Sequence, residues 1–237
     1  MNHPARKPEP AIKGRGIATQ VVHRFSKVHV RDLEDDIWWS GDAETDVPTS
    51  APVTQVILEE ARSALSSNDS PDIFFEQSIN PYRGCEHGCV YCFARPSHAY
   101  LDLSPGLDFE TRLFAKTNAA ELLRAELAKP GYMPAPIALG INTDGWQPIE
   151  RGHGISRACL EVLLETRHPL SIVTKGSAIT RDLDLLAELA KLGLVSVFVS
   201  VTTLDNAQSA TLEPRAAAPH TRLKMIAALH EAGVPAG

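Results

Sequence analysis

From about residue 74 onward the chain alternates between short runs rich in apolar residues and longer stretches where apolar residues recur every three or four positions. The runs at 74–79, 136–142, 170–174 and 194–201 are short and bounded by polar or turn-forming residues, so they predict strands. Their apolar character shows little strict alternation, which predicts burial on both faces, as in a barrel or doubly wound sheet. Strands alternating with helices in this way are the pattern of βα units and a parallel sheet. Asn118 stands three residues before Glu121, which predicts a capping box opening a helix that runs to about Ala128 and ends at Pro130. Ile155, Cys159, Val162 and Leu163 share one face of the next helix, and Leu183, Leu186, Leu189 and Ala190 one face of a third. Pro219 opens a fourth, which passes Leu223 and Ile226 and stops at Gly233. On such a stripe Cys159 reads as a small packing residue.

Residues 1–52 lack this patterning. They mix basic residues and prolines with an acidic cluster (Asp32, Glu34, Asp35, Asp36) and a linker-like stretch at 40–48, and are expected to form an irregular N-terminal extension ahead of a core domain at 53–237. The pair Trp38-Trp39 is expected to dock the extension onto that domain. The last residues, 233–237, fall where the alternation calls for another strand. The expected architecture is therefore α/β and incomplete at its C-terminal side.

With 237 residues and 43% hydrophobic content, the chain can bury a sizeable core as one large domain plus an extension. No stretch approaches the roughly 18 uninterrupted apolar residues of a membrane span, and residues 1–15 hold no apolar signal core, so a cytoplasmic protein without a membrane partner is expected. A net charge of −6 singles out no constitutive nucleic-acid binder, though it leaves room for a local basic groove. Four cysteines, three of them within eight residues, fit metal binding better than a disulfide framework.

The three are Cys85, Cys89 and Cys92, spaced C-x3-C-x2-C on a glycine-containing loop after the first strand. Thiolates suit an iron–sulfur cluster or zinc, and glycines let a loop fold round a bulky group. Structural zinc takes four closed ligands, whereas three cysteines on a four-iron cluster leave one iron open to a substrate. His87 offers a fourth zinc ligand by type, but wedged between Cys85 and Cys89 it is poorly placed for that and reads rather as a solvated or cofactor-lining residue. Polar residues also gather at the predicted C-terminal strand ends, where barrels carry their sites: Asn142, Thr143 and Asp144 after the second strand, Lys175 after the third, Ser200 and Thr202 at the fourth.

The cysteine loop, with Tyr91 just before its last cysteine, resembles the radical S-adenosylmethionine (SAM) superfamily. The wider stretch 78–89, together with 144–150, 173–175 and 200–205, is similar to the branch of spore photoproduct lyase and the DNA repair photolyase-like proteins, a likeness running from about Lys13 to the chain end. That resemblance implies a partial (βα)6 TIM-like barrel, here stopping before its fifth and sixth strands. It implies a 4Fe–4S cluster on Cys85, Cys89 and Cys92 whose fourth iron is chelated by SAM, and reductive cleavage of SAM to a 5′-deoxyadenosyl radical that abstracts hydrogen from substrate. It further implies that Lys175 pairs with the cofactor carboxylate, that Ser200 bonds its carboxylate or ribose, and that Tyr91 lines the adenine pocket. Where many members carry Gly-Gly-Glu for the cofactor amino group, this chain has Asn142-Thr143-Asp144. An external flavodoxin- or ferredoxin-like electron donor and a DNA lesion as substrate complete the expectation. The competing reading is an iron–sulfur electron-transfer or cluster-stabilised binding protein without SAM chemistry.

Overall fold

The computed structural model describes residues 12, 14–21, 23, 25, 53–73 and 75–237. Trp38-Trp39, the acidic cluster and the linker-like stretch lie outside them. Four short strands open the core: β1 (Gln55–Glu59), β2 (Leu65–Ser67), β3 (Gln77–Ile79) and β4 (Tyr82–Arg83). A 3-10 turn at Arg95–Leu101 leads to helix α1 (Asp108–Thr111), strand β5 (Arg112–Lys116) and helix α2 (Ala119–Leu127). The regular alternation follows with β6 (Ile137–Leu139), α3 (Glu150–His153), α4 (Ile155–Glu165), β7 (Leu170–Thr174), α5 (Leu183–Lys191), β8 (Val195–Val199), α6 (Asn206–Leu212) and α7 (Pro219–Glu231).

The main sheet has the order β2-β3-β6-β7-β8, with β3, β6, β7 and β8 parallel and β2 antiparallel at the edge. Neighbouring units of the sequence are neighbours in space, as in the wall of a βα barrel. The wall is an open arc: among the described residues the sheet does not close. Beyond β8, Ala236 bridges Val197 in parallel, so the segment after α7 pairs where a further strand of the wall belongs. A second sheet, β1-β5-β4, was not foreshadowed by the sequence pattern, because its strands are short and carry Gln, Glu, Arg and Lys on partly exposed faces.

The core lies between the sheet and helices α2, α4, α5 and α7, and includes Ile137, Leu139, Cys159, Leu160, Leu163, Ile172, Leu186, Leu189 and Leu229. β7 spans the residues the pattern predicted. β6 is shorter than its apolar run: Pro136 has no N–H to give a ladder, and Gly140 turns away at φ +81. β3 keeps only the end of 74–79, because Asn68 draws the preceding backbone into a loop by bonding Phe75 O through its side chain and Glu76 O through its N–H. β8 is likewise trimmed at both ends, and Phe198 on it is 47% exposed, so burial on both faces does not hold there.

Two helix expectations need correction. Asn118 does not cap α2 with its side chain; its amide instead exchanges two hydrogen bonds with the backbone of Ala61, at 2.9 and 3.0 Å, tying α2 to the segment after β1. On α7 the buried side chains are Pro219, Arg222, Met225 and Leu229, while Leu223 is 48% exposed. The helix is rotated to bury a charged residue, Arg222, whose partner belongs to the site.

Candidate cofactor site

The cysteine loop leaves β3 at the C-terminal edge of the main sheet. Gly84 (φ +75) and Gly88 (φ +67) take left-handed backbone conformations that glycine adopts without strain. A Cβ on Gly84 would stand 2.6 Å from a Leu113 methyl and 2.8 Å from Phe109 O, so the loop is pressed against α1 and β5. Cys85 N donates to Phe109 O at 2.9 Å. Cys85 and Cys89 are buried, Cys92 is partly exposed, and all three are free thiols.

They stand on one cavity of about 270 Å³. Its wall contains Cys85, Cys89, Cys92, Tyr91, Asn142, Thr143, Asp144, Lys175 and Ser200, each of which the sequence had singled out. The rest of the lining is His87, which the sequence read as solvated or cofactor-lining, with Phe93, Gly140, Ile141, Val173 and Thr174. Burial pushes the Cys89 thiol up to about 12, with the neighbouring Cys85 adding to it, and burial moves Cys92 in the same direction. Burial thus favours the protonated form at Cys89 and Cys92, and binding iron there requires those protons to leave. Among the described residues no three His, Cys, Asp or Glu side chains converge on one point as a single metal ion demands. Three soft donors spread round a cavity with polar groups on its far side fit a multi-iron cluster with one open iron.

Asp144 is committed to the protein rather than to the cavity. Its Oδ1 accepts from Trp146 N and Thr174 Oγ1, both at 2.8 Å, and its Oδ2 accepts from Lys175 N at 2.7 Å and faces His87 Nδ1 at 3.3 Å. Four partners use up the lone pairs of a carboxylate. Thr143 is similarly engaged, its hydroxyl donating to Tyr82 O at 2.7 Å. Asn142 is exposed at the cavity edge, with its backbone N–H bonded to Asn80 Oδ1 at 2.9 Å. The His87 imidazole is buried; burial works to lower its pKa, but Cys85 and then Asp144 outweigh it and hold it up at about 10. Lys175 carries its Nζ over the Tyr91 ring, 5.9 Å from the centroid. The Tyr91 hydroxyl bonds Glu213 and lies 3.1 Å from Thr202 Oγ1.

Around this wall stands a set of supports. Gln147 is fully buried and clamps the loop with both ends of its amide, accepting from Glu86 N at 2.9 Å and donating to Gly84 O at 3.1 Å. Arg95 donates twice to Cys89 O, at 2.9 and 3.1 Å, and pairs with the buried Glu110 at 2.6 Å. Glu110 in turn accepts from Gly16 N and Ile17 N at 2.9 and 3.1 Å. The described piece of the N-terminal extension is thus a strap on the cysteine loop: a Cβ on Gly16 would fall 1.8 Å from Gly88 O. On the other side, the segment after β8 holds the loop through Val90 N to Leu212 O, Arg215 N to His87 O, and an Arg215–Glu86 ion pair of 2.8 Å. Glu213, anchored by Thr202 and by the buried Arg222, completes that side.

The Radical_SAM family model, described as the radical SAM superfamily, matches residues 79–237. The chain belongs to the radical SAM superfamily. A 4Fe–4S cluster and SAM are the cofactors of radical SAM proteins. An uncharacterized protein of Mycobacterium tuberculosis (strain H37Rv) is 43% identical over 160 residues, 68% of this chain and 47% of that protein. One from Methanocaldococcus jannaschii is 24% identical over 156 residues, 66% of this chain and 56% of that protein. Among solved structures, a spore photoproduct lyase variant with bound AdoMet and dinucleoside spore photoproduct matches with a TM-score of 0.57 at 17% identity, covering 77% of this chain and 49% of that one. That likeness is one of fold. The chain spans about half the length of the curated relatives it matches.

Sequence reasoning missed the supports. Gln147 was inside a recognised motif, but Arg95, Glu110, Glu213 and Arg222 sit in no spacing that marks them, and Glu213 meets Tyr91 across 122 residues of chain. The radical SAM motif names the ligand types; nothing in it names what holds the loop in place.

Proposed function

We propose that this chain carries the cofactor-binding part of a radical SAM enzyme, with Cys85, Cys89 and Cys92 as cluster ligands, residues 53–237 as its core domain and 1–52 as an extension of that core. The carrying observation is that the three cysteines share one cavity with Tyr91, Lys175, Ser200 and the 142–144 turn. When bound and reduced, the cluster supplies the electron that cleaves the C5′–S bond of SAM, yielding the radical that takes hydrogen from substrate. The chain's own residues divide the remaining work. Lys175 offers a cation for the cofactor carboxylate, Ser200 a hydroxyl at the end of β8, and Tyr91 an aromatic wall for adenine. Asn142, exposed at the rim, would meet the amino group, while Asp144 and Thr143 fix that turn.

An electron carrier has no use for a cavity beside its cluster, and this supports the enzyme over the carrier. A nucleic-acid lesion is the substrate we favour, on the fold shared with the photoproduct-bound lyase. A second cleft of about 440 Å³ meets the first at Asn142 and Thr143 and gives a substrate room beside the cofactor. An external donor of flavodoxin or ferredoxin type would supply the electron; the fourth cysteine, Cys159, is buried in the core and packs there.

The test is anaerobic reconstitution of the full-length protein with iron and sulfide, reduction, and addition of SAM. 5′-Deoxyadenosine is the expected product, and its absence from a well-loaded, reduced sample overturns the reading. Cys89→Ala should abolish both loading and product, whereas Cys159→Ala should load normally.

A further inference from the structure

The second cleft holds a charge that the reaction scheme above does not use. Lys116, at the end of β5, lines it together with Glu59, Glu60, Arg62 and Arg83, and the cleft shares Asn142 and Thr143 with the cofactor cavity. Glu59 lies opposite Lys116 in the β1–β5 ladder, yet each of its carboxylate oxygens accepts from Arg83, at 2.9 Å. Glu60 and Arg62 are exposed and opposite in sign. That leaves Lys116. Its backbone is fixed by its N–H on Pro81 O at 3.0 Å, the residue is partly buried, and among the described residues no hydrogen bond or ion pair takes its ammonium. Burial lowers its pKa and Arg83 adds to that, against the pull of Glu59 and Cys159. An ammonium drawn out of water with no carboxylate to itself is unfavourable, and an anion brought beside it offsets the loss.

We propose that Lys116 is a substrate-binding residue whose ammonium receives a singly charged oxyanion, the phosphodiester of a nucleic-acid substrate. Three cations against two carboxylates leave the cleft one positive charge in excess, which matches one phosphodiester. Asn80, also on the cleft wall, holds the shared rim by accepting from Asn142 N and Thr143 N through its side-chain oxygen. A diester held at Lys116 thus has its neighbouring nucleoside beside a fixed rim, on the way to the cofactor cavity. An ammonium is a compact point charge, so it positions a phosphate without reading which base follows. A carboxylate carries the same charge, and competition by small anions separates the two. The inference rests on the proposed function, both as a radical SAM enzyme and as one acting on nucleic acid.

The test is equilibrium dialysis of a thymidine dinucleotide joined by a phosphodiester, and of its uncharged methylphosphonate analogue, against the anaerobically loaded full-length protein with SAM. The unsubstituted protein should bind the diester about tenfold more tightly than the analogue, ~1.4 kcal/mol. Lys116→Met should bring that ratio close to one, and Lys116→Arg, which keeps the cation, should preserve most of it. Dimethyl phosphate should displace the dinucleotide at lower concentration than acetate does. No binding of the diester, equal binding of the two dinucleotides, a ratio that survives Lys116→Met, or stronger displacement by acetate overturns the proposal. The comparison of diester with analogue needs no substitution, so it decides the matter even if Lys116→Met fails to fold. 5′-Deoxyadenosine formed from SAM without dinucleotide in the same preparation tests the enzyme reading separately. Product without a preference for the diester defeats only the phosphodiester site, whereas no product defeats the reading and this inference with it.

Discussion

Gln147 has the side-chain amide that matches two backbone groups of the cysteine loop at once, and no water reaches them. Replacing it by an apolar side chain of similar size, Gln147→Leu, strands Glu86 N–H and Gly84 C=O in a buried loop. The expected cost is about 2–6 kcal/mol, at 1–3 for each unsatisfied group, read as a lower urea midpoint, together with reduced iron retention after desalting. His98 makes a different kind of demand. Burial lowers its pKa below the ordinary value, its Nε2 lies 2.9 Å from Arg112 O, and it packs edge-on against Phe109 beneath Cys85. The unfolded chain binds a proton near pH 6.5 that the folded protein resists, so this contribution to stability is full above pH 6.5 and is lost as pH falls below it. Between pH 7.5 and pH 5.5 the urea midpoint should fall relative to that of His98→Gln, which keeps a donor for Arg112 O. At this scale the sequence disclosed residue types with obvious chemistry, the cysteines above all. Asp144 shows the limit: its position was legible, but its four-partner role depends on Trp146, Thr174, Lys175 and His87 arriving from three separate loops.

The segment between β8 and α7 is an element whose work is invisible in its own pattern. Glu213 and Arg222 form a fully buried pair, with Arg222 also donating to Ala217 O at 2.6 Å and Ser200 O at 2.9 Å. Arg222→Met leaves Glu213 charged and unpaired, which costs about 3–5 kcal/mol for a broken buried pair and loosens Tyr91 and the end of β8 together. By contrast, Arg124 and Glu165 are half exposed, and Arg124→Met should change stability by less than about 1 kcal/mol. Thermal unfolding of the two variants checks the contrast; similar losses would mean that the buried pair is not what holds the segment. Elements were legible where burial is uniform, as in β7 and α4. They were misread where a local polar bond won over intrinsic pattern, as when Asn118 turned from capping α2 to gripping Ala61. The small β1-β5-β4 sheet escaped because two- to five-residue strands with mixed polarity carry no periodicity to read.

For the whole molecule, the cofactor cavity is where loops from four parallel strands meet, so whatever occupies it is linked to the stability of the entire wall. A cluster bound to the folded state alone adds stability by mass action, about 3–4 kcal/mol at a few hundred to a thousand times its dissociation constant. Anaerobic thermal unfolding should show the loaded protein melting roughly 6–16 °C above the empty one, at 2–4 °C per kcal/mol for a domain of this size. Equal melting temperatures would show that the loop is held as firmly without its cluster. The strap across that loop also bears on how the protein is made. Gly16 reaches Glu110 over 94 residues of chain, so on the ribosome the strap is synthesised early and cannot bind Glu110 until α1 has emerged. The cysteine loop is thus synthesised before the strap can be anchored across it.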